Sequence, residues 1–415
     1  MKNVNTTKQQ TIEMEESGIS KVHDFYESEF FAYEDLLNDV IAMEDNSRWV
    51  PGISTKDIRI ADISELDELT AKNTLPPEAF MDTVTIGTKL KVTVGTDEYC
   101  VRSSAMASIY TRASIAGAAL GRMTPYNLSI VLNKCFDVAK SNCLMLIRYD
   151  KASAFHSDAS DGYMVMPISM LLEKTRNALK KFGHPEFVSG YNSHTYTVAN
   201  WVMPEASEKM SNRYAEILKD KIGPKADTSI IPGLRFSSSD TASCSAIAQP
   251  MFCIGNSAKL RLANGVQVKH IKSSSDSKKA GMELYTEQVE TSLFTKFYDC
   301  MEQAGRLSKI PVYHAENVVV GICNDTKIPR KYGDIARENV VLLAHGYKCI
   351  SAYDVFLAFS QMLQTMEDNA VSTTTQSVVE EKVFKTMNPA FDWKKYDVGG
   401  VVAWSGTATK DGAEA

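Results

Sequence analysis

The chain contains no Gly-x-x-x-x-Gly-Lys-Ser/Thr stretch, so it has no phosphate-cradling P-loop. A Gly-x-Ser-x-Gly elbow is also missing, which removes the usual strained serine nucleophile. Neither His-Glu-x-x-His nor His-x-Glu with a following Pro-Cys-x-x-Cys occurs, so the common zinc peptidase and zinc deaminase patterns are excluded. Long apolar runs are lacking too. "ASIAGAALG" (113–121) falls far short of the roughly 18–20 residues a membrane span needs, so no membrane partner is expected. The opening "MKNVNTTKQQTIEMEE" has no apolar core, so a secretory signal is not expected either. Eight cysteines stand at 100, 135, 143, 244, 253, 300, 323 and 349. None form Cys-x-x-Cys or pair with histidine at a zinc-ligand spacing. They read as reduced structural thiols, with Cys135 and Cys143 in apolar surroundings, and no metal or cofactor is expected.

What is present is a globular composition, 44% hydrophobic and 23% charged over 415 residues, a length that suits two or three domains. Charge is unevenly spread. Residues 11–70 hold sixteen Asp/Glu against four Lys/Arg, a net −12 in a chain of −6, so the remainder carries +6. An acidic segment joined to a mildly basic body suits a polyanionic ligand for the body and a protein partner for the segment.

Apolar residues at 26, 30, 33, 37, 40 and 41 predict an amphipathic helix over 23–45. Alternation around Gly95 predicts a β-hairpin within 84–104. Helices are expected on either side of Thr124-Pro125, with Thr124 as N-cap, Pro125 as first helical residue and "GAALG" (117–121) as a closely packed helix face. Strand, turn, strand and loop follow in 143–167, then a helix ending at Gly183, a strand pair over 186–204 and a helix over 205–223. Residues 229–272 are strand-rich, and helices dominate from about 280 onward. The expected fold is α+β: a mixed, mainly antiparallel sheet core with flanking helices, an acidic helical N-terminal arm and a helical C-terminal domain. The expected boundaries are a disordered tail at 1–20, the arm at 21–78, the core at 79–278, the helical domain at 279–404 and a second tail at 405–415.

Three stretches carry candidate chemistry. His156 lies beside Ser157, Asp158 and Asp161, residue types that bind divalent cations or share a proton but equally build a polar turn. "SSSDTASCS" (237–245) offers hydroxyls and backbone N–H groups to a phosphate, or caps its own loop. The third is "SAKLRLANGVQVKH" (257–270), where Asn264-Gly265 predicts a hairpin turn of positive φ. Lys259 and Arg261 fall on one face of its first strand, with Leu260 and Leu262 on the other. Lys269 and Lys272 follow, and Arg148, Lys151 and Arg235 from neighbouring motifs are expected to join the same basic face. Such a face, with Tyr149, Phe155 and Phe236 nearby, suits single-stranded nucleic acid; lysines that merely protect a sheet edge would look the same. His314 and His345 fall near helix ends, where the dipole favours a cation.

The motifs stand in a suggestive order: "LGRM" (120–123), "LMLIRYDKASAFHSDASDGYMVMPISMLLEKT" (144–175), "PGLRFSSSDT" (232–241) and "KLRLANGV" (259–266). Over about 100–275 this order resembles an uncharacterised phage/plasmid-like family, domain of unknown function 932. The positions that carry the resemblance are Arg148, Ala154, Ser157 and Tyr163, then Ser239-Asp240, then Arg261, Asn264 and Gly265. It implies a gene carried by phages, plasmids or conjugative elements, and supplies no catalytic residue. The expected function is nucleic-acid binding, single-stranded DNA foremost, in recombination, replication or protection of such an element. It would act in the cytoplasm of a bacterial host, by binding or annealing rather than bond cleavage, as a homo-oligomer. The alternatives are a counter-defence or protein-interaction factor, a virion structural protein, and a hydrolase built on His156 and Asp158.

Overall fold

The computed structural model describes residues 26–64, 88–254, 258–261, 265–272, 281–368 and 373–405. The expected tails at 1–20 and 405–415 lie outside these residues, apart from Ser405. The described chain is α+β, with two mixed-composition layers built on mainly antiparallel sheets.

In chain order the first elements are β1 (Glu27–Phe30), α1 (Tyr33–Asp45), β2 (Ser47–Ser54) and β3 (Ile58–Asp62). The periodic stretch at 23–45 is therefore a strand followed by a shorter helix. Next come β4 (Leu90–Val94) and β5 (Asp97–Val101), paired as predicted around Gly95, whose φ is +63°. Helices α2 (Met106–Arg112) and α3 (Pro125–Val138) follow. Thr124 caps α3 by accepting from the Asn127 N–H, with Pro125 at the first turn. The small-residue stretch between α2 and α3 is turns and a short 3-10 segment, not the packed helix face expected of "GAALG".

β6 (Asn142–Arg148) and β7 (Lys151–Ser157) are joined by a two-residue turn in which Tyr149 and Asp150 both hold positive φ, 47° and 54°. Then come α4 (Ile168–Leu179), stopped at Gly183 with φ +117°, β8 (Glu186–Ser193), β9 (Thr197–Val202) and α5 (Ser207–Leu218). β10 (Ile230–Ser238), β11 (Ala246–Ile254), β12 (Ala258–Arg261) and β13 (Val266–Val268) complete the strand-rich region. The rest is helical: α6 (Gly281–Thr291), α7 (Leu293–Ser308), α8 (Ala315–Thr326), α9 (Arg330–Ala344), α10 (Ala352–Asp368) and α11 (Thr373–Phe384). A two-strand ladder of β14 (Pro311–Val312) and β15 (Ile350–Ser351) ties the start of α8 to that of α10.

The larger sheet has the order β1-β8-β9-β10-β11, with β12 and β13 both on the far side of β11. One of its faces contributes Trp201, Leu234, Phe236, Ala248 and Phe252 to the main core, where α4, α5, α6, α7 and α10 pack on it. The smaller sheet has the order β2-β6-β7-β5-β4-β3, and only its β5–β7 pairing is parallel among the described strands. Ile58, Val92, Met145, Ile147 and Phe155 on one face meet Ile109, Leu132 and Phe136 of α2 and α3 in a second core.

Over its described residues, 26–64, the N-terminal segment is not the separate arm expected at 21–78. β1 extends the larger sheet, α1 buries Tyr33, Leu36 and Val40 in the main core, and β2 and β3 belong to the smaller sheet. Glu34, Asp35 and Asp45 form the outward side of a packed helix, while Asp39 is buried and accepts from the Tyr26 hydroxyl and the Asn192 amide. The C-terminal helices likewise share the core of the larger sheet and do not form their own. No helix among the described residues is long and apolar enough to cross a membrane.

Candidate functional site

One end of the larger sheet rests on the face of the smaller one opposite α2 and α3, and the join is polar. Arg148 closes β6 and is almost fully buried. Its guanidinium donates three ways: Nε to Ser47 Oγ (2.9 Å), Nη1 to the His194 carbonyl (2.8 Å) and Nη2 to Asp240 Oδ2 (2.6 Å). Ser47 belongs to β2, His194 to the β8–β9 turn and Asp240 to the loop leaving β10, so a single side chain binds both sheets. A buried ion pair stands only when such extra hydrogen bonds offset desolvation.

The Asp240 carbonyl accepts from His156 Nε2 (2.7 Å) and from the Tyr163 hydroxyl (3.3 Å). Tyr163 also meets His270 Nδ1 (3.1 Å), and Ser238 Oγ meets His270 Nε2 (3.2 Å). One assignment satisfies every contact. Ser238 donates to Nε2 of His270, Nδ1–H of His270 donates to Tyr163, and Tyr163 and Nε2–H of His156 both donate to the Asp240 carbonyl. Both histidines are then neutral. Burial supports this, pushing His156 down to about 4 and His270 in the same direction. The rings form a stack: His156 on Tyr163 at 3.7 Å between centroids, Tyr163 on His270 at 5.4 Å and Trp49 on Tyr163 at 5.5 Å.

The loop after β10 is held by its own hydroxyls. Ser239 Oγ donates to the Thr195 carbonyl (2.5 Å) and accepts from Thr241 N–H (3.2 Å) and Ser243 N–H (3.1 Å). This is the loop-tightening role weighed for "SSSDTASCS". The His156–Asp161 grouping separates. His156 enters the junction, Asp158 accepts from the Gly52 N–H (2.8 Å) and pairs with Lys272 (3.0 Å), and Asp161 is exposed. Those two contacts, Lys272 first, hold the Asp158 carboxyl below its usual value. Among the described residues no three His, Cys, Asp or Glu side chains converge as a metal-ligand set. The junction groups are engaged with one another, and what the arrangement does chemically is clamp two sheets together.

The basic face expected from sequence does not form as one surface. Arg148, Lys151 and Arg235 are all buried, because β6, β7 and β10 are covered on both faces. The signal was readable in part: "CLMLIRYDKASAF" barely alternates, the mark of a strand buried on two sides. Lys269 is exposed, and Lys272 is partly exposed in its pair with Asp158. Lys259 and Arg261 lie on β12, in register with Cys253 and Met251, while Leu260 pairs with the buried Phe252. The register of Leu262 and the conformation of Asn264 lie outside the described residues.

β12 and β13 are not the hairpin expected around Asn264-Gly265. Both pair antiparallel with β11, Arg261 opposite Met251 and Val266 opposite Ala248, so they run one after the other along the same neighbour. Residues 262–264 between the two strands lie outside the described residues. Gly265 is needed for close approach and not for positive φ: a Cβ there would stand 2.5 Å from the Ala248 carbonyl oxygen.

Sequence reasoning missed Trp49 and His270 as members of the junction, and no local pattern marks either one. His345 does follow the C-terminus of α9, but His314 precedes the N-terminus of α8, where the dipole disfavours a cation. No protein-family model, no curated protein and no solved structure matches the chain.

Proposed function

We propose that the chain is a nucleic-acid-binding protein of a phage or plasmid, allied to the family its motifs resemble. It takes single-stranded DNA in recombination, replication or protection of the element. It acts by binding or annealing, self-associates along the strand, and works in the cytoplasm of a bacterial host.

The observation that carries this reading is the edge of the larger sheet. β12 and β13 lie end to end along β11, and this edge and its exit carry Lys259, Arg261, Lys269 and Lys272. A row of cations along one strand tracks a phosphate backbone without reading sequence. The buried Arg148, Lys151 and Arg235 are no part of that contact; they stabilise the platform beneath it. Of the two cations at the exit, Lys269 is exposed and Lys272 is shared with Asp158.

The test is binding of fluorescent single-stranded and double-stranded DNA across a salt series. The double variant Lys259→Gln/Arg261→Gln is expected to weaken single-strand binding and to reduce the slope of log K against log salt by about 1.4, roughly 0.7 per lost phosphate contact. A folded double variant with unchanged affinity and slope assigns these cations to edge protection instead.

A further inference from the structure

The last described residues, 396–405, form a strap along α8 and α9. Asn317 Nδ2 donates to the carbonyls of Val398 (2.7 Å) and Gly400 (2.8 Å), and its Oδ1 accepts from the Val402 N–H (3.2 Å). Asn324 Nδ2 donates to the Ala403 carbonyl (3.0 Å). Gly321 and Gly333 leave room for two aromatic anchors. A Cβ on the first would stand 2.8 Å from the Tyr396 ring, and one on the second 2.4 Å from the Trp404 ring. The strap therefore fills its own seat and serves as a wall. Beside it an open cleft of about 520 Å³ remains, bounded by the start of α8, the end of α9 and strap residues 400–402. Its size falls within the roughly 300–1,000 Å³ of small-ligand sites.

Two tyrosines line this cleft. Tyr313 directly follows β14 and Tyr347 comes three residues before β15, so the β14–β15 ladder brings both to one place. Their backbones are held. The Asp397 carboxylate accepts the Tyr313 N–H (3.0 Å), and the Tyr347 N–H donates to the Ala344 carbonyl (3.0 Å) across a turn at Gly346, whose φ is +82°. Their side chains are not. Tyr313 is 61% and Tyr347 50% exposed, and among the described residues neither ring meets another aromatic ring or a cation and neither hydroxyl is hydrogen-bonded. An uncommitted ring on a fixed backbone is a preorganised contact surface. The same lining holds Lys348, exposed and without an ion pair among the described residues, and Arg337, whose Nε stands 3.6 Å from Asp334. Glu316 is the one carboxylate among the described residues of the lining.

We infer that this cleft binds a nucleotide, its base against the tyrosine rings and its phosphate on Lys348 and Arg337. Aromatic faces stack on any base, and cations meet a phosphate without reading sequence. An apolar ligand leaves both cations unused, and a bare anion leaves both tyrosines unused. A nucleotide joins a flat π-system to an anion and uses all four. Glu316 accepts from a base amino group or a sugar hydroxyl. Its charge opposes a polyphosphate, so the fit is to a single phosphate, as a monophosphate or a phosphodiester. The nucleotide comes free in solution or as one unit of a single strand, and both sources present the same base and phosphate. No residue of β12 or β13 lines the cleft. It is a second site, beyond the sheet edge proposed above to bind DNA, and does not rest on that reading.

The experiment is equilibrium dialysis of the full chain against deoxyadenosine 5′-monophosphate, deoxyadenosine, inorganic phosphate and a tetradeoxyadenylate. All four are measured in wild type and in the edge variant Lys259→Gln/Arg261→Gln, in which cleft binding is expected to persist. The monophosphate is expected to bind with a Kd below about 1 mM, more tightly than deoxyadenosine or phosphate. Tyr313→Ala/Tyr347→Ala is expected to weaken it by about fivefold or more, the loss of one stacked base. Lys348→Gln is expected to weaken the monophosphate and leave deoxyadenosine unchanged. Circular dichroism checks the fold, and Lys348→Gln, at an exposed position, serves alone should the tyrosine variant fail to fold. Tighter binding of the tetranucleotide than of the monophosphate identifies a strand as the source, and equal affinity a free nucleotide. The proposal is overturned if the edge variant binds neither nucleotide at about 1 mM, if phosphate competes as well as the monophosphate, or if the folded tyrosine variant keeps wild-type affinity. Loss of long-strand binding in the edge variant leaves these outcomes unaffected, so the two readings fail separately.

Discussion

Lowering the pH should loosen the junction between the sheets, by an amount that His156 sets. In the folded chain burial holds His156 down to about 4, against an unfolded value of about 6.5. As pH falls through 6.5 the unfolded chain takes up a proton that the folded chain refuses, so stability is lost from 6.5 downward. The loss from this group ends near 4, where both states are protonated. Over the whole window it amounts to about 3 kcal/mol, and between pH 7.5 and 5 to about 2 kcal/mol. His270 is lowered for the same reason and adds in the same direction. The assay is urea denaturation at half-unit steps from pH 7.5 to about 5, a range in which ordinary carboxylates contribute little. His156→Gln keeps an N–H for the Asp240 carbonyl and removes the titration, so its stability should fall less steeply, by about 2 kcal/mol over that range. Equal pH dependence in wild type and a folded His156→Gln variant would refute the assignment of a neutral, buried His156.

Three further outcomes follow from the same geometry. Arg148→Met leaves Asp240 buried without its guanidinium partner and should cost about 3–5 kcal/mol by urea midpoint, part of it recovered when Asp240→Asn is added. Asp150→Gly replaces an exposed residue at φ 54° in the β6–β7 turn and should raise stability by about 0.5–1 kcal/mol in thermal unfolding. Gly265→Ala drives a Cβ to 2.5 Å from the Ala248 carbonyl oxygen and should cost about 1–3 kcal/mol, measurable as a fall in the urea midpoint with the slope unchanged.

Much of the local structure was written in short stretches. Thr124-Pro125 opened α3, Gly95 turned β4 into β5, and Gly183 stopped the helix before it. In each case the deciding residues lie within one turn of the feature they set, so sequence alone determined it. The α+β class followed from the same local patterns. The uneven charge was also legible, but not its meaning: α1 is acidic outside and yet packed into the main core.

What only the tertiary structure decided is which charges face water. Arg148, Lys151 and Arg235 are buried because a second layer covers their strands, whereas Lys269 beside the edge strand is exposed. A strand's own residues specify two faces but not what packs against the second one. Arg148 finds its acid in Asp240, 92 residues away, and His156 its acceptor at a separation of 84. Asn264-Gly265 carried the right local preference for a hairpin, and pairing of both flanks with β11 overrode it, since a ladder to a neighbour already buried in the core outweighs one turn. Gly321 and Gly333 looked like blemishes in two helices until the strap, more than seventy residues on, placed Tyr396 and Trp404 against them. Local conformation is set by near neighbours along the chain; burial, pairing and docking are set by surfaces that meet only after folding.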